Sequence, residues 1–296
     1  MLDCLVIGGG PAGLVAATYL KRFHREVAIV DEGRSRTRLI VKSHNVPGFP
    51  AGISGARLLR RMRDHARAMH VPVHADRVVS LHRSGDIFRA CGVDGAWDAK
   101  TIVLATGVID RTPPLRGLRD AIRRRIVRLC PVCDGYEATG KRIAIYGRHG
   151  EDLQKHAGFL RTFSPHVITV MEDARESAPP YEVASSGMDI MELPDAIEFG
   201  SRSCSITDRY RSVEVDVLYI ALGADAQSSL AGMLGVDTDD SEGLVVDAHM
   251  ETRMSGLYAV GDVVNGLNQI STAVGQGAVA ATAIHNRLPA NWMRGI

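Results

Sequence analysis

Two cysteines close together in the sequence carry the clearest chemical signal in the chain. Cys130 and Cys133 are separated by Pro131 and Val132, and Asp134 follows them directly. Two sulfurs at this spacing can close a reversible disulfide, and the surroundings of a Cys-x-x-Cys motif lower thiol pKa values, which favours the reactive thiolate. Asp134 is placed to pass a proton to or from a departing thiolate. The motif therefore predicts dithiol–disulfide redox chemistry.

The other cysteines bear on the competing prediction, a zinc site. The chain has five cysteines, an odd number, and no targeting leader is expected, which argues against a structural disulfide framework. Zinc needs four ligands, usually from a second Cys-x-x-Cys or a pair of histidines. Cys4, Cys91 and Cys204 stand apart on strand-like segments, and His149 and His156 lack zinc-finger spacing. We predict no metal site and interpret the three separate cysteines as buried small hydrophobes.

A glycine-rich turn near residue 10 points to a dinucleotide. It consists of Gly8, Gly9, Gly10, Pro11, Ala12 and Gly13. Gly8 allows a tight turn, Gly10 lets the backbone approach a pyrophosphate, and Gly13 permits close packing of a helix on a strand. The turn lies between a strand predicted over 2–7 and a helix predicted over 14–23, whose N-terminus would face the phosphates. Asp31, at the end of the next predicted strand, is placed to accept hydrogen bonds from a ribose hydroxyl.

A second candidate for the same ligand lies near the C-terminus. Gly261 and Asp262 follow a predicted buried strand over 257–260. An aspartate there can bond a ribityl hydroxyl or a flavin phosphate, or it can be an ordinary turn residue. The helix after Gln269 would direct its N-terminal N–H groups at the pyrimidine edge of an isoalloxazine.

The order of these motifs resembles that of the low-molecular-weight thioredoxin reductases and related flavin disulfide oxidoreductases, over essentially the whole chain. The motifs that carry the resemblance are Gly8–Gly13, Asn45–Gly48, Ala105–Gly107, Cys130–Gly135, Gly261–Asp262 and Gln269–Ile270. The resemblance implies an α/β fold with two Rossmann-like, doubly wound, three-layer domains. An FAD-binding domain would comprise 1–112 and 244–296, and an inserted NAD(P)-type domain, 113–243, would carry the cysteine pair.

The resemblance also implies roles for individual residues. Cys133 would face the flavin, Cys130 would exchange with the substrate, and Asp134 would be the acid–base group. The cofactor would be FAD, bound by the motifs that contain Asn45, Thr106, Gly107, Gly261, Asp262, Gln269 and Ile270. The substrate would be a thioredoxin-like protein or a small dithiol or disulfide, and the chain would form a homodimer.

The inserted segment departs from the family pattern where a reductase would bind NADPH. The turn runs from Gly147 to Asp152, and His149 stands where the middle glycine of a GxGxxG motif is needed. A side chain at that position obstructs a pyrophosphate, and the carboxylates of Glu151 and Asp152 repel it.

The segment after the next predicted strand departs in the same direction. Glu172 and Asp173 oppose a ribose 2′-phosphate, and Arg175 alone is a poor clamp for one. We therefore expect impaired or absent use of NADPH. Two alternatives stay open: Glu172 could accept a 2′-hydroxyl and favour NADH, or the changes are ordinary divergence in a working domain.

The direction of electron flow is also open. Some relatives of thioredoxin reductase are dithiol oxidases, in which a substrate dithiol reduces the cysteine pair and O₂ reoxidises the flavin. Pro131, Tyr136 and Glu137 match that branch, whereas Asp134 matches the reductases. His44 is either a second acid–base group at the thiol–flavin interface or a polar loop residue. The candidate functions are a thiol oxidase, an NAD(P)H-dependent disulfide reductase and a flavin redox sensor without turnover.

Charge and composition exclude several kinds of partner. Lysine and arginine number 35 and aspartate and glutamate 34, a net charge of +1, which argues against nucleic acid or an anionic membrane. The longest charge-poor stretches contain too many polar residues for a membrane-spanning helix, so we expect a soluble cytoplasmic protein. The basic segment from Arg116 to Arg128 is interpreted as a solvated face or as a docking patch for an acidic partner.

Overall fold

The structure, a computed structural model, describes residues 1–148, 150–172, 189–192, 194–239 and 242–292. The chain divides into two compact units. The first comprises Met1–Lys42, Val46–Ile109 and Asp225–Ile296, and the second comprises Ser43–Asn45 and Asp110–Ala224. Within the described ranges, none of the helices combines the length and the apolar character that crossing a membrane requires.

The first unit is built on a seven-stranded sheet. Its strands are β1 (Leu2–Ile7), β2 (Val27–Val30), β3 (Val73–His74), β4 (Val78–Ser84), β5 (Ile87–Gly92), β6 (Ala96–Leu104) and β17 (Leu257–Ala259). They stand in the order β3-β2-β1-β6-β5-β4, and β17 pairs with β6. β2, β1, β6 and β17 run parallel, and their carboxyl ends align at Val30, Ile7, Leu104 and Ala259.

Three long helices cover one face of this sheet, and a short helix packs on the other face. The helices of the unit are α1 (Pro11–Arg22), α2 (Gly55–Ala68), α6 (Ser229–Gly232) and α7 (Ile270–Arg287). Cys4 and Val6 of β1 pack with residues of α1, α2 and α7, whereas Leu5 and Ile7 pack with the β4–β5 hairpin and α6. Both faces of β1 are buried from Cys4 to Ile7, which explains why this part of the strand is a continuous apolar run rather than an alternating sequence.

The second unit has its own parallel sheet. Its strands are β8 (Val127–Arg128), β9 (Ile143–Gly147), β10 (Val167–Met171), β11 (Asp189–Glu192) and β15 (Val217–Ala221), in the order β11-β10-β9-β15-β8. Its helices are α3 (Leu118–Arg123), α4 (Pro131–Asp134) and α5 (Glu151–Leu160). α5 packs on one face and α3 on the other. The predicted α/β class with parallel sheets is confirmed.

A three-stranded antiparallel sheet, which the sequence did not predict, lies on the α3 face. It consists of β12 (Ala196–Phe199), β13 (Cys204–Thr207) and β14 (Ser212–Val215), and its Cys204, Ile206 and Val215 enter the core. β7 (Val108–Asp110) and β16 (Ala224–Ala226) form a separate two-stranded sheet.

The borders between the units differ from those predicted. The chain passes between units at 109/110 and 224/225, whereas the sequence placed these borders at 112/113 and 243/244. The second difference arises because Leu230, Ala231 and Val236 pack into the core of the first unit. The stretch before Gly243 therefore belongs structurally to the first unit, although it has no motif that marks it as such.

Candidate active site

The Gly8–Gly13 turn joins β1 to α1 at the edge of the sheet where the parallel strands end. Gly8 has a φ of 111°, and a Cβ on Gly13 would lie 2.0 Å from the Gly8 carbonyl oxygen, so neither position accepts a side chain. Among the described residues, a Cβ on Gly10 would find only Ser35 Oγ within 4 Å, at 3.5 Å, which leaves its backbone approachable. The N-terminus of α1 has no side-chain cap and no acidic residue in its first turn. Its N–H groups suit a phosphate.

Asp31 lies directly over this turn. It follows β2, and a Cβ on Gly9 would lie 2.4 Å from Asp31 Oδ2, so the carboxylate and the turn are neighbours. Arg63 Nη2 of α2 donates to the same oxygen at 2.9 Å. The carboxylate is thus fixed beside the glycine turn, as a ribose-binding acid needs to be.

The turn after β17 also meets the N-terminus of α1. Gly261 has a φ of 78°, and a Cβ there would lie 3.0 Å from the Ala12 Cβ. The Gly261 N–H donates to Gln276 Oε1 of α7 at 2.7 Å, and Asp262 Oδ2 pairs with Arg36 Nη1 at 3.0 Å. Two turns from opposite ends of the sequence therefore share one edge of the sheet.

Four other predicted residues lie at helix or strand ends of the first unit. Thr106 and Gly107 follow β6; Thr106 Oγ1 donates to the Gln227 carbonyl at 2.7 Å, and the Gln227 N–H donates to the Gly107 carbonyl at 2.9 Å. Gln269 is the N-cap of α7 and Ile270 is its first residue; that helix has no side-chain cap and no acid in its first turn. The glycine turns, the fixed carboxylates and the uncapped helix fit FAD, which supplies two-electron redox chemistry when bound.

His44 and Asn45 are grouped by their contacts with the second unit rather than the first. Ser43 Oγ donates to Asn45 Oδ1 at 2.7 Å, while the His44 side chain is exposed. Their predicted roles toward the flavin and the thiols stay predictions.

The cysteine pair forms one short helical turn of the second unit. Cys130 and Cys133 are joined in a disulfide, and Cys130 is the N-cap of α4, whose Pro131 occupies the first position. The Cys133 N–H donates to Cys130 Sγ at 3.1 Å. A sulfur held in a disulfide carries no thiolate for a metal, so the redox interpretation is favoured over the zinc interpretation.

Asp134, the last residue of α4, is held by two side chains from the parallel sheet. Tyr219 of β15 donates to Asp134 Oδ1 at 3.0 Å, and Arg128 Nη1 of β8 donates to the Asp134 carbonyl at 2.7 Å. Burial raises the pKa of Asp134 above its ordinary value, and the Arg128 charge and the Tyr219 hydrogen bond only partly oppose this. A raised pKa suits a carboxyl group that exchanges protons with thiols.

Arg128 requires a correction. The sequence prediction included it in a solvated or docking basic segment, but its side chain is only 5% exposed. Arg128 is one of the two residues of β8, both buried, beside β15. Its position two residues before Cys130 could have indicated a role beside the cysteine pair. The run of arginines around it instead favoured the interpretation as a surface segment.

The second β-turn-α-β segment contains a carboxylate whose two oxygens are already bound by neighbouring side chains. Glu172 follows β10, where Arg148 Nε pairs with its Oε1 at 2.7 Å and the Tyr146 hydroxyl donates to its Oε2 at 3.1 Å. His149, Asp173 and Arg175, which the sequence analysis also invoked, lie outside the described residues, as does the Glu151 side chain.

Several side chains that position these groups were not predicted to do so from their place in the sequence. They are Arg63, Arg128, Tyr146, Gln276 and Tyr219. Each lies far in sequence from the group it contacts, except Arg128, which lies within an arginine-rich run that is also typical of a solvated surface. Sequence spacing alone therefore does not predict their positioning role.

Comparisons with known proteins agree with this geometry. The family model for pyridine nucleotide-disulphide oxidoreductases matches residues 2–148 and 183–277. The thioredoxin reductase of Aquifex aeolicus is 27% identical over 298 residues, covering 95% of this chain and 92% of the relative. The thioredoxin reductase of Streptomyces coelicolor is 29% identical over 298 residues, covering 94% and 91%.

A solved structure gives the same result. The crystal structure of thioredoxin reductase from Streptococcus pyogenes MGAS5005 superposes with a TM-score of 0.87 at 26% identity, and 97% of each chain is covered. The sheet-edge turns, the cysteine pair and the family match together lead to one conclusion. This chain belongs to the pyridine nucleotide-disulphide oxidoreductase family and is an FAD-dependent disulfide oxidoreductase similar to the thioredoxin reductases.

Proposed function

We propose that the chain exchanges electrons between FAD and a thiol or disulfide substrate through Cys130 and Cys133, and that its use of NADPH is impaired or absent. The FAD-binding domain corresponds to the first unit and the NAD(P)-type domain to the second. The observation that carries the proposal is the engagement of Glu172 by Arg148 and Tyr146.

Glu172 works against NADPH in two ways. It stands at the end of the second strand of a β-turn-α-β segment, where a Rossmann-type domain recognises the ribose, and its negative charge opposes a 2′-phosphate. Both carboxylate oxygens already accept hydrogen bonds, from Arg148 and from Tyr146. A nucleotide must therefore compete with internal partners before it can use this residue.

The cysteine pair can be reduced by a dithiol without a nucleotide. A substrate thiolate attacks Cys130 Sγ, the Cys130–Cys133 bond breaks, and Cys133 leaves as a thiolate. The second substrate thiol then releases the mixed disulfide, so the substrate becomes a disulfide and two electrons enter the pair. Asp134 supplies or accepts a proton at the sulfurs.

The second candidate is an NAD(P)H-dependent reductase of thioredoxin. The names of the curated relatives favour it, since they are thioredoxin reductases. The third candidate, a redox sensor, requires that no turnover with dithiols or disulfides exist. A Cys130→Ser variant separates it from the others, because turnover that exists in the native protein and disappears in the variant excludes a sensor.

The deciding experiment mixes the flavin-loaded protein anaerobically with NADPH, NADH or dithiothreitol and follows the visible absorbance of the flavin. We expect the dithiol to bleach it rapidly, NADPH to bleach it slowly, and air to restore it. Rapid bleaching by NADPH would overturn the proposal, and rapid bleaching by NADH alone would place Glu172 on the ribose.

Two variants test whether Glu172 limits the reduction of the flavin by NADPH. Glu172→Gln removes the opposing charge and should increase the bleaching rate with NADPH. Glu214→Gln breaks another arginine–carboxylate pair of the same unit, with Arg142, and should leave that rate unchanged. Equal rates in both variants would show that Glu172 does not limit NADPH use.

The homodimer and the cytoplasmic location expected from the sequence are further proposals, supported by the resemblance to thioredoxin reductases. Light scattering that gives the mass of one chain would overturn the first. Recovery of the native protein outside the cytoplasmic fraction of its cells would overturn the second.

A further inference from the structure

We propose that Arg128 and Tyr219 are positioning residues for the disulfide reaction. They hold Asp134 so that its Oδ2 exchanges the proton, and Arg128 Nε–H stabilises the carboxylate once that proton has moved to a cysteine thiolate. The inference rests on the acid–base role proposed above for Asp134.

Hydrogen bonds fix one oxygen of the Asp134 carboxyl group and its main chain. Asp134 Oδ1 accepts a hydrogen bond from the Tyr219 hydroxyl at 3.0 Å. The Asp134 carbonyl accepts from Arg128 Nη1 at 2.7 Å and lies 3.1 Å from the Tyr219 hydroxyl. Arg128 Nη1 also donates to the Tyr219 hydroxyl at 3.2 Å. Oδ1 and the main chain of Asp134 are therefore tied to the sheet.

The other oxygen of the carboxyl group, Oδ2, has no such close contact with Arg128. Asp134 Oδ2 lies 3.5 Å from Arg128 Nε, too far for a good hydrogen bond. Arg128 Nε is buried and, among the residues that the structure describes, has no hydrogen-bond partner. A buried donor without an acceptor is costly, so this N–H is a strong site for any negative charge that forms beside it. An ionised Oδ2 needs to move only about half an ångström to reach it.

Charged and polar side chains around Asp134 affect its protonation. The groups that act on Asp134 are Arg128, Tyr219, Arg125 and Glu137, and Lys141 also senses its charge. Burial holds the pKa of Asp134 above its ordinary value, which favours the protonated form. Burial also raises the pKa of Tyr219, so its hydroxyl stays a neutral donor. The surroundings therefore favour a carboxyl group that delivers its proton only when an acceptor appears.

The proton balance follows. In the reduction of the pair by a substrate dithiol, the Cys130–Cys133 bond breaks and the substrate thiols are oxidised to a disulfide. Two protons must pass from the substrate sulfurs to the cysteine sulfurs. Asp134 relays one of them: Oδ2–H protonates the departing Cys133 thiolate, and the resulting carboxylate turns to Arg128 Nε until it regains a proton from a substrate thiol.

The test measures how fast dithiothreitol reduces the Cys130–Cys133 disulfide of the flavin-loaded protein between pH 5 and 9, by quenching with an alkylating agent and counting modified cysteines. Protonation of Asp134 should produce one limb of the native rate–pH profile, and Asp134→Asn should abolish that limb. Tyr219→Phe and Arg128→Met each remove a group that stabilises the carboxylate, so both should shift that limb to higher pH. For Arg128→Met the shift should be about one pH unit or more. Arg211→Met, which breaks a surface pair with Asp189, is the control and should leave the profile unchanged.

The outcomes separate the inference from its premise. If Asp134→Asn retains the limb, the acid–base role itself is wrong and the inference falls with it. If Asp134→Asn removes the limb but Tyr219→Phe and Arg128→Met leave it at the native pH, the inference alone is overturned. Should Arg128→Met fail to fold, Arg128→Lys decides, because lysine keeps the charge but has no Nε–H and must still shift the limb.

Discussion

Arg36 Nη1 lies 3.0 Å from Asp262 Oδ2, in an ion pair whose side chains are 26% and 22% exposed. The pair joins the segment after β2 to the turn after β17, and both belong to the edge of the sheet that fits FAD. The guanidinium offsets a carboxylate charge that would otherwise repel a pyrophosphate. The pair is therefore expected to assist cofactor binding rather than only fold stability.

Replacing Arg36 by methionine tests this directly. The variant leaves Asp262 without its cation, and we expect FAD to bind about fivefold more weakly, the equivalent of about 1 kcal/mol for a partly buried pair. The measurement is a fluorescence titration of the cofactor-free protein with FAD. Arg89→Met breaks a more exposed pair with Asp98 on β6 and should leave the affinity at its native value. An unchanged affinity in Arg36→Met would mean that Asp262 needs no counter-charge.

Two glycines of α7 predict opposite effects on stability. A Cβ on Gly277 would lie 2.5 Å from the Ala12 carbonyl oxygen of α1, whereas a Cβ on Gly275 would meet no atom of the described part of the chain within 4 Å. Gly277→Ala should destabilise the protein by about 1–3 kcal/mol, because the two helices must separate. Gly275→Ala should stabilise it by about 0.5–1 kcal/mol, because alanine favours a helix. Urea unfolding of both variants checks this, and destabilisation by both would contradict the close packing of α1 on α7.

The cysteines should differ sharply in reactivity. Burial raises the pKa of Cys4 and of Cys204 to about 12, so both stay as thiols at pH 8. After mild reduction of a Cys91→Ala variant, iodoacetamide should modify Cys130 and Cys133 faster than Cys4 and Cys204, by on the order of a hundredfold or more. Peptide mass spectrometry measures the rates. Comparable labelling of all four would show that the cores around Cys4 and Cys204 open readily.

Asp216 should make stability depend on pH. Hydrogen bonds from the Arg142 side chain hold the pKa of Asp216 below its ordinary value. A carboxyl group whose pKa is lower in the folded state stabilises the fold at neutral pH, and this contribution is lost as the pH falls through that lower value. Asp216→Asn should therefore lower the urea midpoint at pH 7, with the difference narrowing below about pH 4. Asp86→Asn, on a fully exposed side chain, is the control. A difference that does not vary with pH would reject the electrostatic explanation.

The sequence predicts the parts of this molecule that depend on local pattern. The continuous apolar run of β1, the spacing of Gly8 to Gly13 and the cysteine motif all reflect neighbours in the chain, so they indicate their own structure. The serine before α2 is another example: serine is a preferred residue at a helix N-cap, and the Ser54 side chain accepts a hydrogen bond from the Arg57 N–H.

The rest depends on contacts between distant segments. Tyr219 lies 85 residues after Asp134, and nothing in the apolar sequence of β15 distinguishes a tyrosine that holds a carboxyl group from one that only fills the core. The strands β12 to β14 have only four residues each, too few for their alternation to specify which strands pair, and their pairing comes from the core that they close. The border at 224/225 likewise depends on where Leu230 packs.

The division of the first unit between both ends of the chain has a consequence for biosynthesis. α1 packs against α7, which ends at Arg287, so this core cannot close until synthesis has passed α7 and that helix has left the ribosome. The second unit, apart from Ser43–Asn45, is one continuous segment that ends at Ala224. Because domains generally fold as units during synthesis, the unit with the cysteines can become compact first. The nascent chain should therefore hold a reactive thiol pair before it can hold a flavin, and in that interval it depends on the surrounding redox buffer.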